Sequence, residues 1–349
     1  MELDLVDYLK TCRDLGASDL HLCVGAPAAT RVDGAIVSIG DKILQADEVR
    51  DLIHGSLTEV QTARLEEEWE LDYAVEVKDI GRFRGNIHYS RGALEGVYRH
   101  IPDKIPDLAM LGHYPVVEEM CREQRGLILV TGITGSGKST TLAAMTKRMM
   151  EQRQSVIVSI EDPIEFKFDH ARSLVKQREI GRDTKNFPLA LRQTMRQDPD
   201  VIVVSELRDM ETIQTALTAA ETGHLVLAGL HTTDAPQSVD RLIDVFPAIQ
   251  QAQVASQLGN VLAGVISQRL IPKKGGKGRV MASEIMRSDN AIRHLIRSRK
   301  IEQLPGMIEI GHGKGMHTID NSLQGLLERG LIERSEALAH ARDRDLFLT

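Results

Sequence analysis

The run Gly132-Ile133-Thr134-Gly135-Ser136-Gly137-Lys138-Ser139 carries residue types, at a spacing, that bind phosphate. It reads G-x-x-x-x-G-K-[ST]. An apolar, β-prone run, Leu127–Val130, stands before it, and a helix-favouring run rich in Ala, Leu, Met and Lys, Thr140 to Met150, follows. Strand, glycine loop and helix start in that order make a cradle. The glycines let backbone N–H groups converge on phosphate oxygens, and the helix dipole adds favourable potential. In such a loop Lys138 reaches the β- and γ-phosphates and the Ser139 hydroxyl ligates Mg²⁺, while Gly132, Thr134, Gly135, Ser136, Gly137 and Thr140 complete the wall. A chance glycine-rich turn would need neither the strand before it nor the helix after it. The sequence therefore predicts binding of ATP or GTP.

Hydrolysis needs carboxylates and positive charge around that cradle. Ile160-Glu161-Asp162-Pro163-Ile164-Glu165-Phe166 ends a predicted strand, and carboxylates at the carboxyl edge of a parallel sheet face the ligand crevice. Asp198 to Glu206 is an apolar strand ending in an acid, a Walker B layout with Glu in place of Asp. One carboxylate would hold Mg²⁺ and its waters, and the other would orient the attacking water or accept its proton. The plainer reading of such acids is that they cap helices or solvate loop ends. Thr222-Gly223-His224 and His231-Thr232-Thr233 bracket the run Leu225–Leu230. A histidine there can bond a γ-phosphate, link it to the next subunit, or simply be structural. Across an extended strand the two lie roughly 23 Å apart, too far for a metal pair. Arg82, Arg84, Arg91 and Arg99 fall in an earlier part of the chain. As exposed strand-face charges they would do little. As fingers from a neighbouring domain or subunit, one such arginine is worth roughly 10³ to 10⁵ in rate.

The elements that must position these groups fall into two textures. Residues 1 to about 100 read as a small mixed α/β domain. Val6–Leu15 has helical spacing, Leu20–Val24 alternates as a strand, and Asp33-Gly34 between two strand-like runs signals a hairpin. Gln45–Leu65 reads as two short helices, and Leu71–Val77, Gly81–Tyr89 and Gly92–His100 as strands. A linker with two prolines spans Ile101–Pro106. From about Leu108, apolar strands at Leu127–Val130, Val156–Ile160, Val201–Val204 and His224–Leu230 alternate with amphipathic helices. That alternation predicts a parallel sheet covered by helices, in an order suited to a RecA-like motor core. From about Ala248 the pattern reads as mostly helical.

Bulk properties narrow the function classes. The 349 residues allow two or three domains, and a net charge of −7 gives no basic footprint for nucleic acid. Lys273 to Arg279 is basic but glycine-broken and reads as a solvated hairpin tip. Cys12, Cys23 and Cys121 are scattered without a C-x-x-C pair, against a disulfide framework or a zinc site. No signal-peptide layout is apparent at the N-terminus, and no apolar run approaches the roughly 18 residues that span a bilayer. A cytoplasmic protein that meets membranes only through partners is expected.

With these segments in order, the chain resembles the PilT family of type IV pilus retraction ATPases, within the secretion-ATPase superfamily. The resemblance runs from about Gly16 to about Ala339 and rests on Ala17 to Leu22, Arg82-Phe83-Arg84, Gly132 to Thr140, Ile160 to Phe166, Gln177 to Asp183, Asp198 to Asp209, Ala219 to His224, Leu230 to Thr233, Val239 to Pro247 and Ala291 to Arg297. It implies an α/β chain: a PAS-like α+β domain at 1–100, a linker at 101–112, a RecA-like P-loop core at 113–270 and a mostly helical region at 271–349. It implies a homohexameric ring with each nucleotide between the two domains of one subunit and against its neighbour. ATP and Mg²⁺ would be the ligands, with Glu165 as general base, Glu206 serving Mg²⁺ and its water, and His224 and His231 matching the family's His box. Arg82, Arg84 and Arg99 fall where the family places arginines around the nucleotide. Pilus retraction and twitching motility would be the work done. An inner-membrane platform protein and a paralogous retraction ATPase would be the partners, with no nucleic acid. Ser205 stands where the family usually has Gly, Gln197 replaces a usual acid, and His294 and Ser298 replace a usual Asn and Glu. The competing readings are an accessory paralogue or regulator with weak hydrolysis, an assembly or secretion ATPase, which commonly adds a four-cysteine zinc module, and a DNA translocase, which the charge disfavours.

Overall fold

The computed structural model describes residues 3–32, 34–101, 104–276 and 278–348. It divides into two compact units, Met1–Lys104 with Pro163–Phe166, and Ile105–Asp162 with Lys167–Thr349.

The first unit runs α1 (Leu5–Asp14), β1 (Asp19–Leu22), β2 (Pro27–Val32), β3 (Ala35–Ile43), α2 (Ala46–His54), α3 (Glu59–Glu68), β4 (Glu70–Val77), β5 (Gly81–Ser90) and β6 (Ala93–Ile101). Helix α1 starts where it does because Asp4 accepts from the Asp7 N–H and the Asp7 carboxylate returns to the Asp4 N–H. The strands form one sheet in the order β3-β2-β1-β6-β5-β4, with antiparallel pairing throughout. Leu9, Leu20, Leu22, Ile53, Phe83, Ile87 and Tyr98 are its buried centre. This is the N-terminal α+β domain that the sequence predicts. Val32 pairs with Ala35 across the expected turn, in which Gly34 has φ 88°, while Asp33 lies outside the described residues. Of the expected linker, Pro102 and Asp103 also lie outside them.

The second unit runs α4 (Pro115–Met120), β7 (Gly126–Thr131), α5 (Lys138–Gln152), β8 (Val156–Glu161), β9 (Leu174–Glu179), α6 (Phe187–Thr194), β10 (Val201–Val204), α7 (Met210–Glu221), β11 (Leu225–Leu230), α8 (Ala235–Asp244), α9 (Ala248–Val261), β12 (Leu262–Pro272), β13 (Arg279–Arg287), α10 (Asn290–Arg297), α11 (Leu304–Ile310), α12 (Ile319–Glu328) and α13 (Arg334–His340). Its seven-stranded sheet has the order β13-β12-β7-β11-β10-β8-β9, parallel except that β13 returns antiparallel to β12. Every residue of β7, β10 and β11 is buried, as unbroken apolar runs inside a parallel sheet must be. Leu127 and Leu129 pack on one side of β7, and Ile128 and Val130 on the other, so both faces carry helices.

One expectation needs correction. The helical C-terminal region is present, but it does not run unbroken from Ala248: after α9 the chain forms β12 and β13, which widen the sheet, and then α10 to α13 follow. A boundary at residue 270 therefore falls inside β12. The sequence hides this because α9 passes into β12 at Val261–Leu262 with no loop between them, and the Gly259-Asn260 pair lies inside the last turn of the helix rather than after it. Edge strand β9 escaped notice as well, since Lys176 and Gln177 interrupt its apolar pattern. The basic run does form a hairpin tip, with Pro272 opposite Arg279 and Lys277 outside the described residues.

Candidate nucleotide-binding site

The loop from β7 to α5 has the backbone that its glycines permit. Gly132, Gly135 and Gly137 have φ 148°, 78° and 90°, all in the region disfavoured for other residues. Gly137 is the N-cap of α5, so the first N–H groups of that helix open onto the loop. Ser139 is exposed and Thr140 half-buried in its first turn.

The Lys138 ammonium donates to the Gly132 and Ile133 carbonyls at 2.8 and 3.1 Å and lies 3.3 Å from His231 Nδ1. Lysine has only donors, so Nδ1 accepts. His231 Nε2 then carries the proton and donates to Glu206 Oε1 at 3.1 Å. The other Glu206 oxygen pairs with Arg208 Nη2 at 2.8 Å. Burial pushes the Glu206 carboxyl up, but Arg208 and then His231 outweigh it, so it lies below the usual carboxylate range. Lys138, His231 and Glu206 follow β7, β11 and β10, three adjacent strands, at the carboxyl edge where doubly wound sheets bind ligands. The Ser139 hydroxyl and Glu206 carboxylate are hard oxygen donors that fit Mg²⁺, which keeps several waters and takes its remaining ligands from phosphates. Among the described residues no cluster of three or more His, Cys, Asp or Glu side chains forms an all-protein cage.

Ser205 does not bear the strain that a glycine-requiring position would impose. The described non-glycine residues with positive φ are Trp69, Asp79, Arg91, Asp198 and Arg299. Gly229 of β11 lies against the Ser205 carbonyl with no room for a Cβ, so the glycine this junction needs is on the neighbouring strand.

Sequence reasoning missed the support behind the loop. Gln268 of β12 donates from Nε2 to the Ser136 carbonyl at 2.7 Å. Buried hydroxyls link Thr131 to Ser267 at 2.7 Å and to Ser238 at 3.4 Å, and Ser238 to Thr232 at 2.6 Å. The chain of hydroxyls ties the end of β7 to the His231 loop. The available signal was the polar run Ser267-Gln268-Arg269 between apolar stretches of β12, with Ser267 and Gln268 at buried positions where polar groups require partners.

The remaining predicted residues part company. His224 is not brought to the loop within this chain. It precedes β11, beside the start of β7, and its Nδ1–H donates to the Ala219 carbonyl at 2.9 Å, closing the end of α7. In the first unit, Arg82 donates to the Ile164 carbonyl at 2.8 Å, and Arg84 Nη1 meets Glu165 Oε1 at 3.5 Å. Arg99 pairs with Asp19 at 2.8 Å, its side chain 62% exposed. Arg91 has φ 52° in the turn between β5 and β6.

A glycine loop entering a helix, with a carboxylate and a histidine on the adjoining strand ends of a helix-covered parallel sheet, defines a P-loop nucleoside triphosphatase with a RecA-like core. The family of type II/IV secretion system proteins matches residues 109–305. The type IV pilus retraction ATPase PilT of Pseudomonas aeruginosa is 46% identical over 340 residues, 97% of this chain and 98% of that protein. A twitching motility protein of Neisseria gonorrhoeae is 42% identical over 315 residues, 90% of this chain and 84% of that one. A crystal structure of the pilus retraction motor PilT with bound ADP superposes with a TM-score of 0.90 at 43% identity, covering 99% of each chain. The chain belongs to the type II/IV secretion system family, among its PilT-type retraction ATPases.

Proposed function

We propose that this chain is an ATP-hydrolysing motor that powers retraction of a type IV pilus, and with it twitching motility, as a homohexameric ring. The observation that carries the reading is the convergence of Lys138, His231 and Glu206 within 3.3 Å contacts beside the glycine loop. The 46% identity to a retraction ATPase over nearly the whole length supports it. Lys138 and the loop N–H groups grip the triphosphate. Ser139 and Glu206 hold Mg²⁺, which when bound neutralises charge on the β- and γ-phosphates. His231 takes the γ-phosphate as its partner in place of Lys138. Glu165, close to Arg84, is the general base for the attacking water, and Arg82, Arg84 and Arg99 supply positive charge around the nucleotide. His224 acts against the neighbouring subunit. The ring works on an inner-membrane platform protein from the cytoplasmic side, alongside a paralogous retraction ATPase. No helix among the described residues is long and apolar enough to cross a membrane, in keeping with membrane contact through partners.

Steady-state ATP hydrolysis by the purified chain tests this, with Lys138→Ala and Glu165→Gln as controls. Turnover that survives both substitutions refutes the site. A deletion strain whose pili extend but never shorten supports retraction, and loss of surface pili refutes it. An accessory paralogue is the second reading, favoured by His294 and Ser298 in and after α10. Normal ATP affinity with negligible turnover selects it.

A further inference from the structure

The loop that presents His231 is anchored from an unexpected direction. It ends at Asp234, the N-cap of α8, whose carboxylate accepts from the Gln237 N–H at 2.8 Å. The Ala235 N–H donates instead to Glu284 of β13 at 2.9 Å. Two carboxylates therefore hold one helix start, which favours negative charge but not two charges side by side. Asp234 has 15% of its side chain exposed and Glu284 only 1%.

A single cation serves both. Arg342 Nη2 lies 3.1 Å from Glu284 and 3.5 Å from Asp234. The Glu284 contact is ionic without hydrogen-bond alignment, so charge is what the guanidinium supplies. Burial pushes the Glu284 carboxyl up, and Arg342 is foremost among the groups that draw it back. Arg342 is itself delivered by a fixed segment. Both oxygens of the buried Asp320 accept backbone N–H groups, from Arg342 at 2.8 Å and Asp343 at 3.0 Å. Arg269 donates to the His340 carbonyl at 2.8 Å, and Phe347 is buried beyond. Asp240, Arg299 and Glu302 line the same cleft as Asp234 and Arg342, so no surplus of positive charge stands in reserve.

We propose that Arg342 is a positioning residue for the nucleotide site: it neutralises Asp234 and Glu284, fixes the start of α8, and so aims the preceding loop that carries His231. The inference rests on the roles given above to His231 and Glu206. It makes the C-terminal segment part of the hydrolytic machinery without touching nucleotide.

The test is the pH profile of ATP hydrolysis by the full-length chain, from about pH 6 to about pH 9, for wild type and variants. Arg342→Ala should lower kcat about tenfold at the alkaline end, with KM for ATP little changed because the glycine loop is untouched. The loss should shrink towards acid pH, because burial already pushes the Glu284 carboxyl up and removing Arg342 takes away the foremost group that draws it back. Arg342→Lys should recover part of the rate. Adding Glu284→Gln to Arg342→Ala should recover most of it, since the amide oxygen still accepts from Ala235 and the stranded charge is gone. A loss that is flat with pH and not recovered by Glu284→Gln would mean packing alone and overturn the proposal. So would wild-type kcat in Arg342→Ala while Glu206→Gln is inactive. Wild-type turnover in Glu206→Gln would instead overturn the site reading beneath it.

Discussion

Replacing Gly132 by alanine tests the glycine loop without any nucleotide present. Two costs add at this position. The backbone has φ 148°, a region essentially reserved for glycine, and forcing alanine there costs about 1–3 kcal/mol. The new Cβ would also meet the Gln268 carbonyl oxygen at 2.5 Å, and the Ser136 hydroxyl more closely still. Gln268 is in the centre of β12 and cannot retreat, and overpacking of this kind adds about 1–3 kcal/mol. The sum is roughly 4 kcal/mol, a fall of roughly 8–16 °C in the melting midpoint of a unit this size. Gly135→Ala is the internal control. Its φ is 78°, but nothing lies within 4 Å of the added carbon, so only about 1–2 kcal/mol of strain applies. Differential scanning fluorimetry of the nucleotide-free proteins measures both. Equal destabilisation by the two substitutions, or none by Gly132→Ala, would refute the argument that β12 walls the loop from behind.

Glu206→Gln should keep nucleotide affinity and lower kcat about 10²- to 10³-fold, read by coupled ATPase assay beside calorimetric binding. Gly325→Ala, in the interior of α12 with open space at the added carbon, should stabilise by about 0.5–1 kcal/mol in denaturant titrations. His113, bonded to Thr141, and His317, bonded to Ser283, are both lowered by burial from the ordinary 6.5 to about 4. The unfolded chain therefore binds more protons over that interval. Stability present above pH 6.5 should drain as pH falls towards 4, by up to about 3 kcal/mol for each residue. Substituting either histidine by Gln should flatten the acid limb of melting midpoint against pH.

The sequence disclosed those parts whose physics is local. A glycine loop, an acid at the end of an apolar strand and a turn dipeptide are each set by neighbours in the chain, and Lys138, His231 and Glu206 lie in contact beside that loop. The strands read from the sequence between Leu20 and Leu230 are all present. What stayed hidden depends on contacts between distant segments. Gln268 supports Ser136 across 132 positions, and nothing within β12 states that a loop lies against it. Ser267 likewise reads as an interruption until Thr131 is placed opposite. His224 lies at the other end of β11 from His231, as a strand's length between the two histidines requires, and within the chain it bonds the Ala219 carbonyl.

The position of β7 between β11 and β12 has a consequence during synthesis. The phosphate loop is encoded before residue 140, yet one flank of its strand is supplied only when residues 262–272 emerge. A nascent chain halted before that point exposes a fully apolar strand with an open hydrogen-bonding edge, the kind of surface that invites mispairing with another copy. Added nucleotide offers such a chain little rescue, because the wall formed by Gln268 has not yet been made. A chain ending upstream of β12 is accordingly expected to aggregate, and one continued through Pro272 is expected to stay in solution.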